Sequence, residues 1–241
     1  MVTLTTGRSD SAMVSKALLQ APSEPDDLSD NAHRQLIGYI GLVLPFLLIL
    51  IAVIRDGMER WKSLESISAY YYTGAVAAFS GMLVALSLFL FTYRGYANKY
   101  NWADRLVAKT AAVASLVIAF FPTEAPGDVS ALPWWTPTTG ILHHAAAILL
   151  FTMFGIFALW LFRLTADGER PVADKRWRNK FYLFCGVAIL ACIAWAGING
   201  LNGKPIFWAE SIALIAFALS WLVKGYALNT IARTARSLLR R

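Results

Sequence analysis

The sequence predicts an all-α integral membrane bundle of six transmembrane helices, with both termini cytoplasmic. Three observations carry that prediction. The chain has 241 residues, of which 57% are hydrophobic and only 15% charged, where a soluble domain has about 25% charged residues. Its mean hydropathy is +0.52, and the apolar residues come in long runs rather than in amphipathic periods. Finally, Lys and Arg are shared very unequally between alternate loops, which is the topology signal of a multi-span protein.

Taken in order, residues 1–35 are polar and mixed, with Ala21-Pro-Ser-Glu-Pro-Asp-Asp-Leu-Ser-Asp30 near their end. No apolar core follows the first methionine, so the segment does not read as a signal peptide. It is expected to be a disordered cytoplasmic tail. The transmembrane domain then covers residues 36–224. Its spans are expected at about 36–54, 73–92, 106–121, 140–162, 181–198 and 207–223. Each approaches the length that crosses a ~30 Å hydrocarbon core at ~1.5 Å per residue. The third, Leu106–Phe121, is the shortest and is stopped by Pro122; it borrows a turn from Trp102–Arg105, and Lys109 then snorkels to the interface. The fourth, Gly140–Phe162, has no acidic, Lys or Arg side chain but opens with His143 and His144. Residues 225–241 form a basic tail, either disordered or an amphipathic helix on the inner leaflet.

With this span assignment, Arg55, Arg60, Lys62 and Lys204 are the basic residues on the outer side, and Lys109 lies within a span. All the other Lys and Arg residues fall on the side of the termini. That bias places this side in the cytoplasm and the protein in the inner, or plasma, membrane. The +7 formal charge is therefore read as a topology signal and not as a nucleic-acid footprint. Tryptophans 61, 134, 135 and 208 mark outer helix ends, and 102, 160 and 221 inner ones, as an aromatic belt. Small residues at Ala77, Gly81 and Ala85, at Ala108, Ala112, Ser115 and Ala119, and at Cys185, Ala188, Cys192 and Ala196 read as helix-packing ridges. The two cysteines stand about 10 Å apart along one helix, too far for a disulfide.

The outer loops and helix mouths hold the candidate site. It comprises His143, His144, Glu210, Glu124, Tyr72, Ser68 and Asn199. Ionisable groups at membrane depth are costly and call for partners. Adjacent histidines on a helix point ~100° apart, so one of the pair faces the bundle and the other turns away. Glu210, in Phe207-Trp-Ala-Glu-Ser, lies inside an apolar run and must be neutral or paired there. One of the two histidines, Tyr72 or Asn199 is its candidate partner, and His143 comes within reach only if spans four and six are neighbours. Ser68 becomes a nucleophile only beside a base, for which His143 is the candidate. No catalytic set is assigned. No cofactor is expected, although one histidine with Glu210 and Glu124 is a chemically allowed zinc set. The pattern contains no GxSxG elbow, no phosphate-binding loop and no HExxH pair.

Ser68-x-x-Tyr71-Tyr72 before span two, Phe121-Pro-Thr after span three, His143 at the start of span four and Phe207-Trp-x-Glu-Ser at the start of span six form an order of motifs. It resembles a group of bacterial six-helix membrane proteins of unassigned role. These are in turn distantly similar to the DRAM-like proteins and to the alkaline ceramidase and adiponectin-receptor superfamily. That resemblance covers roughly residues 36–224. The superfamily implies seven helices and a zinc held by three histidines, with an assisting Ser and Asp. Ser68 and His143 are the nearest counterparts in type, but the last-helix HxxxH pair is absent from this chain. The sequence therefore supports an outer-face polar pocket for a lipid or small ligand, or a proton-linked one. A metal-dependent hydrolase of lipid amides or esters is the first alternative, and a small transporter the second. Membrane lipids are the expected partners, with homo-oligomerisation open and no nucleic acid.

Overall fold

The computed structural model describes residues 25–58, 64–96, 98–127, 129–164 and 173–227. Among them are six α-helices: α1 (Pro25–Asp56), α2 (Val76–Phe91), α3 (Asn101–Phe120), α4 (Pro137–Leu159), α5 (Ala173–Leu201) and α6 (Phe207–Lys224). Short 3₁₀ turns occupy Ser68–Tyr72 and Leu161–Arg163. Segments Ser29–Asp56, Pro137–Arg163, Lys175–Leu201 and Phe207–Lys224 are long and apolar enough to cross a membrane, with mean hydropathies of 2.8, 2.4, 2.2 and 1.5. Helix α2 is also apolar but shorter. Helix α3 is diluted by Asp104, Arg105 and Lys109.

Local chemistry explains the helix ends. Helix α1 opens on Pro25, whose missing N–H is not needed in a first turn. It starts well before the expected boundary at residue 36, so the last third of the expected tail is helical. Residues 1–24 and 228–241, with most of both expected tails, lie outside the described residues, as do Trp61 and Asp128. Helix α3 stops before Pro122, which disfavours helical backbone at Phe121. Helix α4 begins with Pro137 at its first position and a capping box in which Thr136 and Thr139 each receive the other's backbone N–H.

The helices stand in a ring in chain order. Each packs on its neighbours in sequence, and α1 against α6 closes the ring. Helix α4 also touches α6 across the interior. One end of the ring holds the α1–α2, α3–α4 and α5–α6 loops. There the Glu65 carbonyl accepts from the N–H groups of Ile206 and Phe207 at 2.7 and 2.9 Å, and the Tyr72 hydroxyl donates to the Thr123 carbonyl at 2.8 Å. At the other end Gln35 donates to the Gly225 carbonyl at 2.7 Å and Lys175 to the Phe162 carbonyl at 2.8 Å.

Two seams show how apolar helices associate without a strong hydrophobic drive. Between α2 and α3, Ser87 donates to the Ala112 carbonyl and Ser115 to the Leu83 carbonyl, both at 2.8 Å. The partner face of α3 is Ala108, Ala111, Ala112 and Ala119, all buried. On α2, however, Gly81 and Ala77 point outward, and nothing lies within 4 Å of where a Gly81 side chain would start. Phe79, Leu83, Leu86 and Ser87 form the packing face instead. Between α1 and α6 the close approach is at Gly38, where an added Cβ would stand 2.7 Å from Leu222 and 3.0 Å from the Ala218 carbonyl.

The interior is aromatic. Phe154 of α4 stacks on Phe217 of α6 with ring centroids 3.5 Å apart. Trp221 is fully buried and packs edge-on against Tyr93, Phe157 and Phe162. Trp221 is thus a core residue and not part of an interfacial belt: its position on α6 faces the ring axis. Trp102, Trp134, Trp160 and Trp208 are exposed. Large apolar side chains such as Phe46, Ile54, Ile141, Ile148, Phe184 and Ile198 project outward with more than half of their surface uncovered. Apolar exterior of this extent suits lipid and not water.

Candidate functional site

The site is built where the α1–α2 and α3–α4 loops meet the first turns of α4 and α6. Ser68 starts the 3₁₀ turn that carries the three tyrosines into α2, and its side chain is buried. His143 lies in the second turn of α4 and is 1% exposed. Its Nδ1 is 2.6 Å from the Phe121 carbonyl oxygen, and its Nε2 is 2.8 Å from Ser68 Oγ. A carbonyl only accepts, so Nδ1 carries the proton. In the neutral ring Nε2 is then the acceptor, and the Ser68 hydroxyl donates to it. The turn that ends α3 at Phe121 therefore sets the tautomer of a histidine on the next helix.

Glu210 enters from the first turn of α6. Its Oε2 accepts the Ile67 N–H at 2.7 Å, one residue before Ser68. That bond does not run to His143, Tyr72 or Asn199. Helices α4 and α6 do meet across the interior, but the α1–α2 loop lies against the first turn of α6 and its Ile67 N–H takes the Glu210 carboxylate. Ser68 and Glu210 both face a cavity of about 40 Å³ whose other walls are apolar, among them Leu44, Phe79, Leu83, Ile118, Leu150 and Phe154. The cavity thus has one polar end and a hydrocarbon-like body.

The remaining predicted residues stand apart from it. His144 is exposed, its ring edge-on to His143 with centroids 5.6 Å apart. Tyr72 is half-buried and ties its loop to Thr123. Burial first, then the nearby Tyr71 and Glu124, raises its phenol above the ordinary range, which keeps it a neutral donor. Glu124 is exposed. Asn199 donates to the Pro205 carbonyl at 3.0 Å and closes the α5–α6 turn. Among the described residues no group of three or more His, Cys, Asp or Glu is placed to hold a metal ion. A metal on His143 would have to displace either the Phe121 or the Ser68 contact.

A second polar group, at the opposite end of the ring, has almost no counterpart in the sequence pattern. Arg34, Asp104 and Lys224 are buried there, and a polar pocket of about 220 Å³ nearby is bordered by Asp30, His33, Tyr93 and Arg94. His33 Nε2 sits 2.7 Å from the Phe89 carbonyl. The signal present in the sequence is the lone Asp104 within a mostly apolar stretch.

Comparison of the chain with protein-family models, curated proteins and solved structures finds no match. The functional reading therefore rests on these two sites.

Proposed function

We propose that this is a six-span inner-membrane protein, with both termini cytoplasmic, that takes a short segment of a membrane lipid's acyl chain into the apolar cavity. The polar part of the lipid then meets Ser68, His143 and Glu210. The observation that carries this reading is the cavity itself, which is apolar except where Ser68 and Glu210 border it. A few methylenes of a hydrocarbon chain fill such a space without losing hydrogen bonds, whereas a polar solute would be left unpaired along most of it. At its polar end Ser68 and Glu210 offer a hydroxyl and a carboxyl group to a lipid carbonyl or hydroxyl, with the His143 imidazole behind Ser68.

Filling the cavity tests this. Ala147 borders it, and Ala147→Phe is expected to lower the acyl lipid that co-purifies in mild detergent at least several-fold, as read by extraction and mass spectrometry. Unchanged lipid per protein would remove the pocket from consideration. The orientation has its own test. A reporter fused after Arg241 is expected to read out on the cytoplasmic side, and a periplasmic readout would overturn the span count.

A second reading, acyl transfer, is favoured by the Ser68–His143 contact. A serine hydroxyl hydrogen-bonded to an imidazole whose other nitrogen is held by a third group is the arrangement that activates a nucleophile. Here the third group is the Phe121 carbonyl instead of a carboxylate. In this reading Ser68 Oγ bonds to the acyl carbon while His143 Nε2 takes its proton. The leaving alcohol or amine departs with the bonding electron pair and recovers that proton.

A further inference from the structure

The polar pocket of about 220 Å³ lies between the start of α1 and the end of α2. Asp30 and His33 line it from α1, and Thr92, Tyr93, Arg94 and Gly95 from the chain that leaves α2. Its walls are tied down on both sides. On the α1 side the His33 ring stacks on Tyr93 with centroids 6.4 Å apart, and its Nε2 is 2.7 Å from the Phe89 carbonyl oxygen. A carbonyl only accepts, so Nε2 carries the proton. On the other side Asn101, the first residue of α3, donates from Nδ2 to the Arg94 carbonyl at 2.9 Å and to the Tyr96 carbonyl at 3.0 Å. Gly95 between them has φ +83°, and a Cβ there would stand 2.6 Å from Asn101 Nδ2, so the turn requires glycine.

The lining groups divide by role. Asp30 brings a carboxylate, which only accepts. Its contact with Arg34, at 3.9 Å, is longer than a hydrogen bond and leaves its lone pairs open. With the proton on Nε2, the neutral His33 ring has its one acceptor at Nδ1. The Thr92 hydroxyl donates to the Leu88 carbonyl at 2.8 Å, so its oxygen is an acceptor toward anything else. Three acceptors match the three N–H bonds of one primary ammonium. Arg94 supplies the opposite chemistry, a planar fork of donors that suits a phosphate. Leu36, three residues after His33, and Phe91, next to Thr92, are exposed apolar side chains. The pocket therefore lies at the edge of the lipid-facing surface, at the depth of the headgroups.

We propose that this pocket binds a phosphate ester that carries a primary amine, the phosphoethanolamine group. Asp30, His33 and Thr92 hold its ammonium and Arg94 its phosphate. The group can come from the headgroup of phosphatidylethanolamine or from a soluble ester. The trimethylated head of phosphatidylcholine has no N–H for the three acceptors, and the head of phosphatidylglycerol brings no cation to Asp30, so the same residues tell the three lipids apart. The pocket shares no residue with the apolar cavity beside Ser68.

The test uses the full chain in a neutral detergent. Phosphatidylethanolamine, phosphatidylcholine, phosphatidylglycerol and free phosphoethanolamine are titrated separately, and thermal unfolding reports binding. A saturable rise in Tm with phosphatidylethanolamine, and not with the other two lipids, is expected. Asp30→Asn and Arg94→Gln should each weaken the apparent affinity about fivefold. Asp30 is half-exposed and Arg94 exposed, so both variants fold. Ala147→Phe, which fills the cavity at the other end, should leave the rise unchanged. A rise with free phosphoethanolamine, alone or beside that with the lipid, and weakened in the same two variants, would assign the site to a soluble ester. The proposal is overturned by no saturable rise with either amine-bearing probe or by an equal rise with either of the other lipids. A rise that both variants keep, or that Ala147→Phe removes, overturns it as well.

Discussion

Ser68→Ala is expected to abolish labelling of the detergent-purified protein by an alkyl fluorophosphonate, while the wild type gains one adduct on the peptide containing Ser68. The expectation follows from the 2.8 Å contact between Ser68 Oγ and His143 Nε2. As Oγ bonds to phosphorus and fluoride leaves, the hydroxyl proton moves to Nε2. In this reading the first methylenes of the probe's alkyl chain enter the apolar cavity that Ser68 borders. His143→Gln removes the base and should slow labelling by roughly 10²–10⁴-fold, the usual contribution of a positioned general base. Intact-mass and peptide analysis read both effects. A wild-type protein that stays unlabelled, or labelling that persists in Ser68→Ala, sinks the acyl-transfer reading. It leaves the lipid pocket standing, because that rests on the cavity and not on the proton path.

Substitution of the paired histidines should divide sharply. His143→Leu is expected to cost about 2–4 kcal/mol, because it orphans two groups at once, the Phe121 carbonyl and the Ser68 hydroxyl. His144→Leu, at an exposed position, should stay within about 0.5 kcal/mol. Reversible unfolding in mixed detergent micelles measures both. Equal effects would mean that the tie between α4 and the end of α3 contributes nothing.

Much of this fold is written in the apolar runs. Helix α3 ends where Pro122 must end it, while α4 begins three residues before the expected Gly140, at the Thr136-Pro137 cap. The angular separation of His143 and His144 follows from helical geometry alone. What the sequence hides depends on which elements meet. Ser68 and His143 are 75 positions apart, and no local pattern says that a 3₁₀ turn will lie across the mouth of α4. Glu210 is recognisable as a buried carboxylate, but its Ile67 N–H donor is backbone and has no residue signature. Trp221 looks interfacial because tryptophan near a helix end usually is. Only the rotation of α6 places it among Tyr93, Phe157 and Phe162. Basic residues that read as topology markers conceal the buried state of Arg34 and Lys224, since a charge count carries no depth. The early start of α1 does have a signal, a proline followed by two aspartates at residues 25–27, which is the composition of a first helical turn.

The order of helices round the ring also bears on how the protein is made. Five of the six seams join helices that leave the ribosome one after the other, so each can zip up as a hairpin during synthesis. The seam between α1 and α6 joins the first helix to the last. Until α6 emerges, Gly38 and the face around it have no partner, and the place of Trp221 among the aromatic rings is empty. The growing chain is an open arc for most of its synthesis, and its interior is sealed by the final helix alone.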